Sequence, residues 1–160
     1  MRKLALKKLK ASDLSFFKSY LTKHPQTKQK GLNLDMRVMQ GQFFPSLKAS
    51  LEPLDKMAAH VDLTMFGPGM AEAHSLSRKV KRDAKNIRLN GEIVDVPVTQ
   101  PDLYDVLAPG DFALMEFVGA SLPKAVNVVL VAAGHPEDSS THSALRSILP
   151  SDSDSMKALS

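Results

Sequence analysis

Four side chains towards the C-terminal end have the types and spacing of a metal site: His135, Glu137, Asp138 and His142. Imidazole and carboxylate groups together bind Zn²⁺ or Mn²⁺, and a metal held there could activate water for hydrolysis. The same residues also suit a structural role, because HPED (135–138) is typical of a turn whose last residue caps a following helix. We favour the structural interpretation and keep a metal-dependent hydrolase as the alternative function.

A different chemistry is indicated by the cations of SRKVKRDAKNIRLNGE (77–92). Residues 78–88 carry only one acid, Asp83, among six cations: Arg78, Lys79, Lys81, Arg82, Lys85 and Arg88. Like charges held this close repel one another, so the run predicts an anionic partner. Its end, IRLNGE, is typical of a strand that enters a tight turn at Asn90-Gly91. The segment is predicted to be a basic arm on a sheet, although an ordinary solvated face would give the same pattern.

The distribution of charge along the chain favours the anionic partner. Residues 1–89 contain 18 Lys and Arg against 7 Asp and Glu, a balance of +11, whereas residues 90–160 contain 3 against 10, a balance of −7. The segment TKHPQTKQKG (22–31) belongs to a stretch from Leu14 to Leu34 that has no acid, and it predicts a second basic arm. One face of the molecule should therefore be strongly electropositive.

Nucleic acid fits these two arms best. Lys and Arg bind phosphates, and Arg, Lys, Asn and Gln can read base edges in the major groove. Aromatic side chains, on which single-stranded bases stack, are nearly absent from both arms, which favours duplex DNA over RNA. The predicted DNA-binding residues are Lys18, Lys23, Lys28, Gln29, Lys30, Arg78, Lys79, Lys81, Arg82, Lys85, Asn86 and Arg88.

Composition limits the other function classes. The chain has no cysteine, which excludes disulfides and thiolate metal sites and favours a cytoplasmic, nucleoid-associated protein. No apolar run reaches the roughly 20 residues that span a bilayer, and no P-loop or dinucleotide motif is present, so neither a membrane nor a cofactor is expected. His24, His60 and His74 are isolated in the sequence, and only His24 lies in a basic loop.

The elements that must position these residues are mainly strands. Apolar alternation predicts strands at 32–38, 60–66 and 93–96, and continuous apolar runs predict two more at 112–119 and 126–133, the latter central. A helix with an apolar stripe is expected after Asp138 and should stop at Pro150. Residues 1–10 have no regular pattern. The fold class is therefore α+β and mainly β, with residues 1–150 as one domain and 151–160 as a linker towards a further domain.

The order of several short motifs carries a family resemblance. An arm ending in KQKG, a Phe-Phe-Pro corner, a second basic arm, a Pro-Gly-Asp strand entry, a VNVVL strand and a PED-led helix follow one another. This order resembles the N-terminal effector-binding domain of EcoRII-type restriction endonucleases, whose fold is shared with the plant "B-three" transcription-factor domains. The resemblance covers residues 16–150.

The resemblance implies an open seven-stranded pseudobarrel with flanking short helices that grips the major groove of duplex DNA with two arms. KQKG (28–31) matches the N-terminal arm of the family, and 81–88 matches its C-terminal arm. This chain departs from the family where Lys28 replaces a histidine and where the first arm is shorter. The family's catalytic machinery lies outside this domain. The resemblance therefore predicts a non-catalytic recognition domain of a prokaryotic restriction or phage-defence protein, joined to a nuclease or helicase; an RNA-binding module is a further alternative.

Overall fold

The computed structural model describes residues 3–26, 31–150 and 155–159. In this part of the chain the strands are Lys3–Lys8 (β1), Leu32–Leu34 (β2), Ala58–Phe66 (β3), His74–Arg82 (β4), Ile87–Asn90 (β5), Phe112–Val118 (β6), Ala125–Val131 (β7) and Met156–Leu159 (β8). The α-helices are Ala11–Leu14 (α1), Lys18–Lys23 (α2), Met36–Val38 (α3), Leu47–Leu51 (α4) and Ser139–Ile148 (α5). A π-turn covers Met39–Phe43, and 3₁₀ turns cover Asp55–Met57, Pro68–Met70 and Pro136–Asp138.

One barrel-like sheet contains all eight of these strands, in the order β2-β5-β4-β3-β7-β6-β1-β8. Neighbours are antiparallel except β3 and β7, which are parallel. The prediction of a mainly β, α+β fold is confirmed, but the expected number of seven strands is wrong. The additional strand, β8, lies in the segment that the sequence placed in a linker, and it pairs with β1.

The two ends of the sheet approach each other through side chains. Asp13 in α1 lies 3.2 Å from the Nζ atom of buried Lys7 in β1, and its Oδ1 accepts the backbone N–H of Asn33 in β2 at 3.0 Å. Next to β2, the N–H of Asp35 points at the sulfur of Met156 in β8 at 3.4 Å. Burial lowers the pKa of Lys7, and the charge of Asp13 opposes this shift. Asp13 thus connects β2, at one end of the strand order, to β1, near the other end.

Two hydrophobic clusters lie on opposite sides of the sheet. The barrel interior is filled by alternate side chains of the strands, which include Val61, Leu63, Val80, Leu89 and Val128. On the outside, the apolar stripe of α5 covers β1, β6 and β7 in a smaller cluster of Leu6, Phe112, Val131, Leu145 and Leu149. The predictions of β3, β6, a central β7 and α5 are confirmed.

Two predicted strands differ from the structure. Of 32–38, only Leu32–Leu34 is extended, because the side chain of Asp35 accepts the N–H of Arg37 at 2.8 Å and starts the short helix α3. Of 93–96, only Val94 makes a bridge, to Phe17. The backbone of Val94 instead contacts the start of α2, since the N–H of Lys18 donates to the carbonyl of Val94 at 2.8 Å.

Candidate nucleic-acid interface

Strands β4 and β5 form a hairpin whose turn is fixed by one carboxylate. The N–H of Asp83 donates to the carbonyl of Asn86 at 3.0 Å, and Oδ1 of Asp83 accepts the N–H groups of Asn86 at 2.9 Å and Lys85 at 3.3 Å. The hydrogen bond from Asn86, followed by that from Lys85 and the nearby charges of Arg88 and Lys81, holds the pKa of Asp83 below its usual value. The hairpin turn therefore lies at 83–86, and it displays Lys85 and Asn86 to solvent. The strand predicted from IRLNGE is β5, which ends at Asn90, and the chain bends at Gly91.

The hairpin presents cations and amides on its outward side. Lys81 lies opposite Arg88, and Lys79 lies opposite Asn90; on the neighbouring strand β2, Asn33 lies opposite Arg88. Residues directly opposite each other in an antiparallel pair share a face of the sheet. We call these five side chains the cationic face. Lys79 is exposed and the other four are half-buried.

The charges of the cationic face are not neutralised by ion pairs. Across residues 3–26, 31–150 and 155–159, no carboxylate makes an ion pair with Lys79, Lys81 or Arg88, nor with Lys85 in the turn. Two cations directly opposite each other, as Lys81 and Arg88 are, destabilise a sheet. An anion bound on the face would remove that repulsion.

Two polar atoms within the cationic face are shielded yet unpaired. Nε of Arg88 and Oδ1 of Asn33 have almost no solvent-accessible surface, and within the described residues neither has a hydrogen-bond partner. The two residues are cross-strand partners. Leaving a buried polar atom unpaired is unfavourable by about 1–3 kcal/mol, so these two atoms are unsatisfied at the centre of the face.

Arg78, predicted to bind DNA, does not belong to the cationic face. Its side chain is only 8% exposed, lies on the inward side of β4 with Val80, and has its guanidinium 5.8 Å from the ring centroid of Phe16. Nη1 of Arg78 donates to the carbonyl of Ser77 at 2.6 Å. Burial lowers its pKa, and the charge of Glu92 opposes this shift. Alternation along β4 turns Arg78 inward and Lys79 outward.

Arg82 and Lys18 do not belong to the cationic face either, because other side chains bind them. Arg82 shares the inward side of β4, and its Nε donates to Oε1 of Gln40 at 3.0 Å. Lys18 forms an exposed ion pair with Asp95 at 3.2 Å. The N–H of Val96 and then the ammonium of Lys18 lower the pKa of Asp95. Lys23 is exposed in the last turn of α2.

The remaining predicted residues, Lys28, Gln29 and Lys30, lie outside the described residues. Gly31, the first described residue after them, lies beside the end of β5. A Cβ atom on Gly31 would lie 2.8 Å from the carbonyl oxygen of Leu89, so only glycine allows this close approach to the end of β5. Because β5 has four residues at about 3.3 Å each, Gly31 and the hairpin turn are roughly 13 Å apart along the strand.

Asp138, a member of the predicted metal cluster, is occupied by backbone groups. It is buried, and its Oδ2 accepts the N–H of Ala132 at 2.9 Å and that of Gly69 at 3.0 Å. It therefore joins the end of β7 to the turn after β3. Gly69 has φ +73, and a Cβ there would lie 2.3 Å from the ring of His135. The carboxylate completes this packing and faces no open site.

The two histidines of that cluster have separate structural roles. Nδ1 of His135 accepts the N–H of Glu137 at 3.2 Å. His142 is buried, with Nε2 3.0 Å from Oδ1 of Asp111, a carboxylate that also accepts the N–H groups of Ala108 and Ala133. In the part of the chain that the structure describes, no group of three or more His, Cys, Asp or Glu side chains could hold a metal ion. The sequence did not predict the pairing with Asp111, because the two residues are 31 positions apart.

Comparison with family models, with curated proteins and with solved structures finds no match to this chain. The site is therefore defined by its own geometry. Among the described helices, none is long and apolar enough to cross a membrane.

Proposed function

We propose that this chain is a non-catalytic, double-stranded DNA-binding domain that contacts DNA with the cationic face. The observation that carries the proposal is the cross-strand grouping of Lys79, Lys81 and Arg88, none of which forms an ion pair within the described residues. Phosphates on DNA would take up these charges, and the release of counterions would supply affinity. Lys85 and Asn86 in the hairpin turn extend the surface.

The residue types of the face favour a duplex. The outward positions of β4 are Ser75, Ser77, Lys79 and Lys81, and those of β5 are Arg88 and Asn90; none is aromatic. Binders of single strands and of RNA loops use aromatic side chains as stacking platforms. A face of cations and amides instead suits phosphates and base edges of a double helix.

Asn33, Arg88 and Asn90 supply the groups for sequence recognition. Arg donates two hydrogen bonds to guanine, and Asn exchanges two with adenine, in the major groove.

The resemblance to the EcoRII-type effector-binding domain supports the same proposal and extends it. In that family the C-terminal arm, matched here by 81–88, holds DNA while the catalysis belongs to another domain. We therefore propose that the chain recognises DNA for a restriction or phage-defence system.

The proposal is tested by fluorescence anisotropy with a labelled duplex, a single strand and a structured RNA of equal length. The double variant K81A/R88A should bind duplex at least about tenfold more weakly, since two charged contacts are lost. The matched control K48A/R146A removes one lysine and one arginine from α4 and α5, and its affinity should stay within about twofold of wild type. Equal losses in both variants, or tighter binding to RNA than to duplex, would contradict the proposal.

A further inference from the structure

Two polar side chains of β3, His60 and Asp62, continue the outward surface beyond β4. His60 lies directly opposite Lys79, and Asp62 lies opposite Ser77. Nδ1 of His60 is 3.2 Å from Oγ of Ser77, and Nε2 of His60 is 3.4 Å from Oδ1 of Asp62. The imidazole, which looked isolated in the sequence, thus bridges a hydroxyl and a carboxylate beside the cationic face.

The charged groups around the imidazole come from three elements. On β4, Lys79 is the direct cross-strand neighbour of His60, and Lys81 lies one outward position further along. On β3 itself, Asp62 is the facing acid. Between β6 and β7, Lys124 lies beside Asp62, whose N–H donates to the carbonyl of Lys124 at 3.0 Å. Lys79 is thus the cross-strand neighbour of the imidazole, and Asp62 is its carboxylate partner.

We infer that His60, Ser77 and Lys79 form a phosphate-binding site at the border of the cationic face, and that it binds a DNA phosphate when His60 is protonated. The imidazolium, the hydroxyl and the ammonium would each donate a hydrogen bond to the phosphate. Asp62 competes with the phosphate for the imidazolium. This inference rests on the proposed function, because the phosphate is that of bound duplex DNA.

Nucleophilic catalysis is a less suitable use for Ser77, His60 and Asp62. The side chains of His60 and Asp62 are 61% and 81% exposed, whereas acyl transfer depends on preorganised donors in a site that excludes water. A phosphate contact needs no such enclosure, since protein–DNA interfaces are wet. Binding therefore explains the open geometry better than catalysis does.

If His60 must be protonated to bind the phosphate, the salt dependence of DNA binding should change with pH. Histidine changes its charge between pH 5 and 8, so the number of phosphates contacted should rise by one as the pH falls. Wild-type protein should show a plot of log affinity against log salt that is steeper by about 0.9 unit at pH 6 than at pH 8. One added contact corresponds to about fivefold tighter binding at 0.15 M salt.

Substitutions at His60 decide whether this side chain is responsible. H60Q should lose the difference in slope between pH 6 and pH 8, and H60K should show the steeper slope at both pH values. The control H135Q alters a histidine in the turn before α5, outside the cationic face, and should keep the wild-type difference. A pH-dependent change in slope that persists in H60Q would overturn the inference, as would H60K binding with the shallow slope.

The same titrations separate this inference from the proposed function. If K81A/R88A binds as tightly as wild type, the cationic face is not the DNA site and both ideas fail. If K81A/R88A binds weakly while H60Q and wild type have the same pH dependence, only the phosphate site fails. D62N provides an independent check: it should bind duplex more tightly than wild type at pH 6, and weaker binding would count against Asp62 as the competing acceptor.

Discussion

The β4–β5 hairpin and the start of α5 differ in how the fold uses their charged side chains. At the start of α5, Asp138 accepts two backbone N–H groups, and His142 lies against Asp111, so the polar groups stabilise the chain's own turns. On the hairpin, Lys79, Lys81 and Arg88 have no ion-pair partner within the described residues. A cluster is therefore a candidate for binding when the fold leaves its groups unused, not when its residue types merely suit a ligand.

The largest change in stability is expected when the buried carboxylate near the start of α5 is removed. Asp138→Ala should lower the free energy of unfolding by about 3 kcal/mol, because the N–H groups of Ala132 and Gly69 lose their acceptor. Urea denaturation followed by circular dichroism measures this effect. DNA affinity should be unchanged under conditions where the variant is folded. A loss below about 0.5 kcal/mol would show that Asp138 is not structural.

Arg78 and Lys79 are adjacent in β4, and they show the same contrast between a structural and an exposed charged side chain. Arg78→Ala should lower the free energy of unfolding by about 2 kcal/mol, since the buried side chain packs on Phe16, whereas Lys79→Ala should change it by less than about 0.5 kcal/mol. Duplex binding should weaken in Lys79→Ala. Denaturation curves and anisotropy on both variants check this reversal. An Arg78→Ala variant that is as stable as wild type but binds DNA poorly would show that Arg78 contacts DNA and has no structural role.

A smaller effect is expected in the hairpin turn. Asp83→Ala should cost about 1 kcal/mol of stability, because two turn N–H groups lose their acceptor and remain open to water. The pKa of Asp83 is below its usual value in the fold, so its stabilising contribution is present above the unfolded pKa, about 4, and is lost as the pH falls through the folded value. The difference in stability between wild type and Asp83→Ala should therefore shrink below pH 4 in acid denaturation; a constant difference would contradict this role.

Strands with apolar runs could be predicted from the sequence, and so could β5 from IRLN (87–90), but the cation-rich β1 could not. The runs that form β6 and β7 and the stripe of α5 have the periodicities of their elements. β1 was missed because Lys7 occupies an inward position, and only the distant Asp13 makes its burial acceptable. β8 was missed because its four residues follow a polar segment, and pairing with β1 defines them.

The sequence singled out the hairpin as a candidate site, but it did not separate the outward residues of the hairpin from the inward ones. Val80 is the signal that could have separated them: an apolar residue within SRKVKR indicates that 78 and 82 share its inward side and that 79 and 81 face outward. Asn33, Asn90 and His60 could not be found this way. They join the surface through the register of β2, β5, β4 and β3, which single-sequence patterns do not specify.

Chemical-shift mapping by NMR tests the central claim most directly, because it compares both regions in one experiment. On addition of a short duplex to ¹⁵N-labelled protein, the account predicts that the largest shifts fall on Lys79, Lys81 and Arg88 and on the turn between them, while residues 135–142 stay unchanged. Shifts concentrated at 135–142, with the hairpin unaffected, would contradict it.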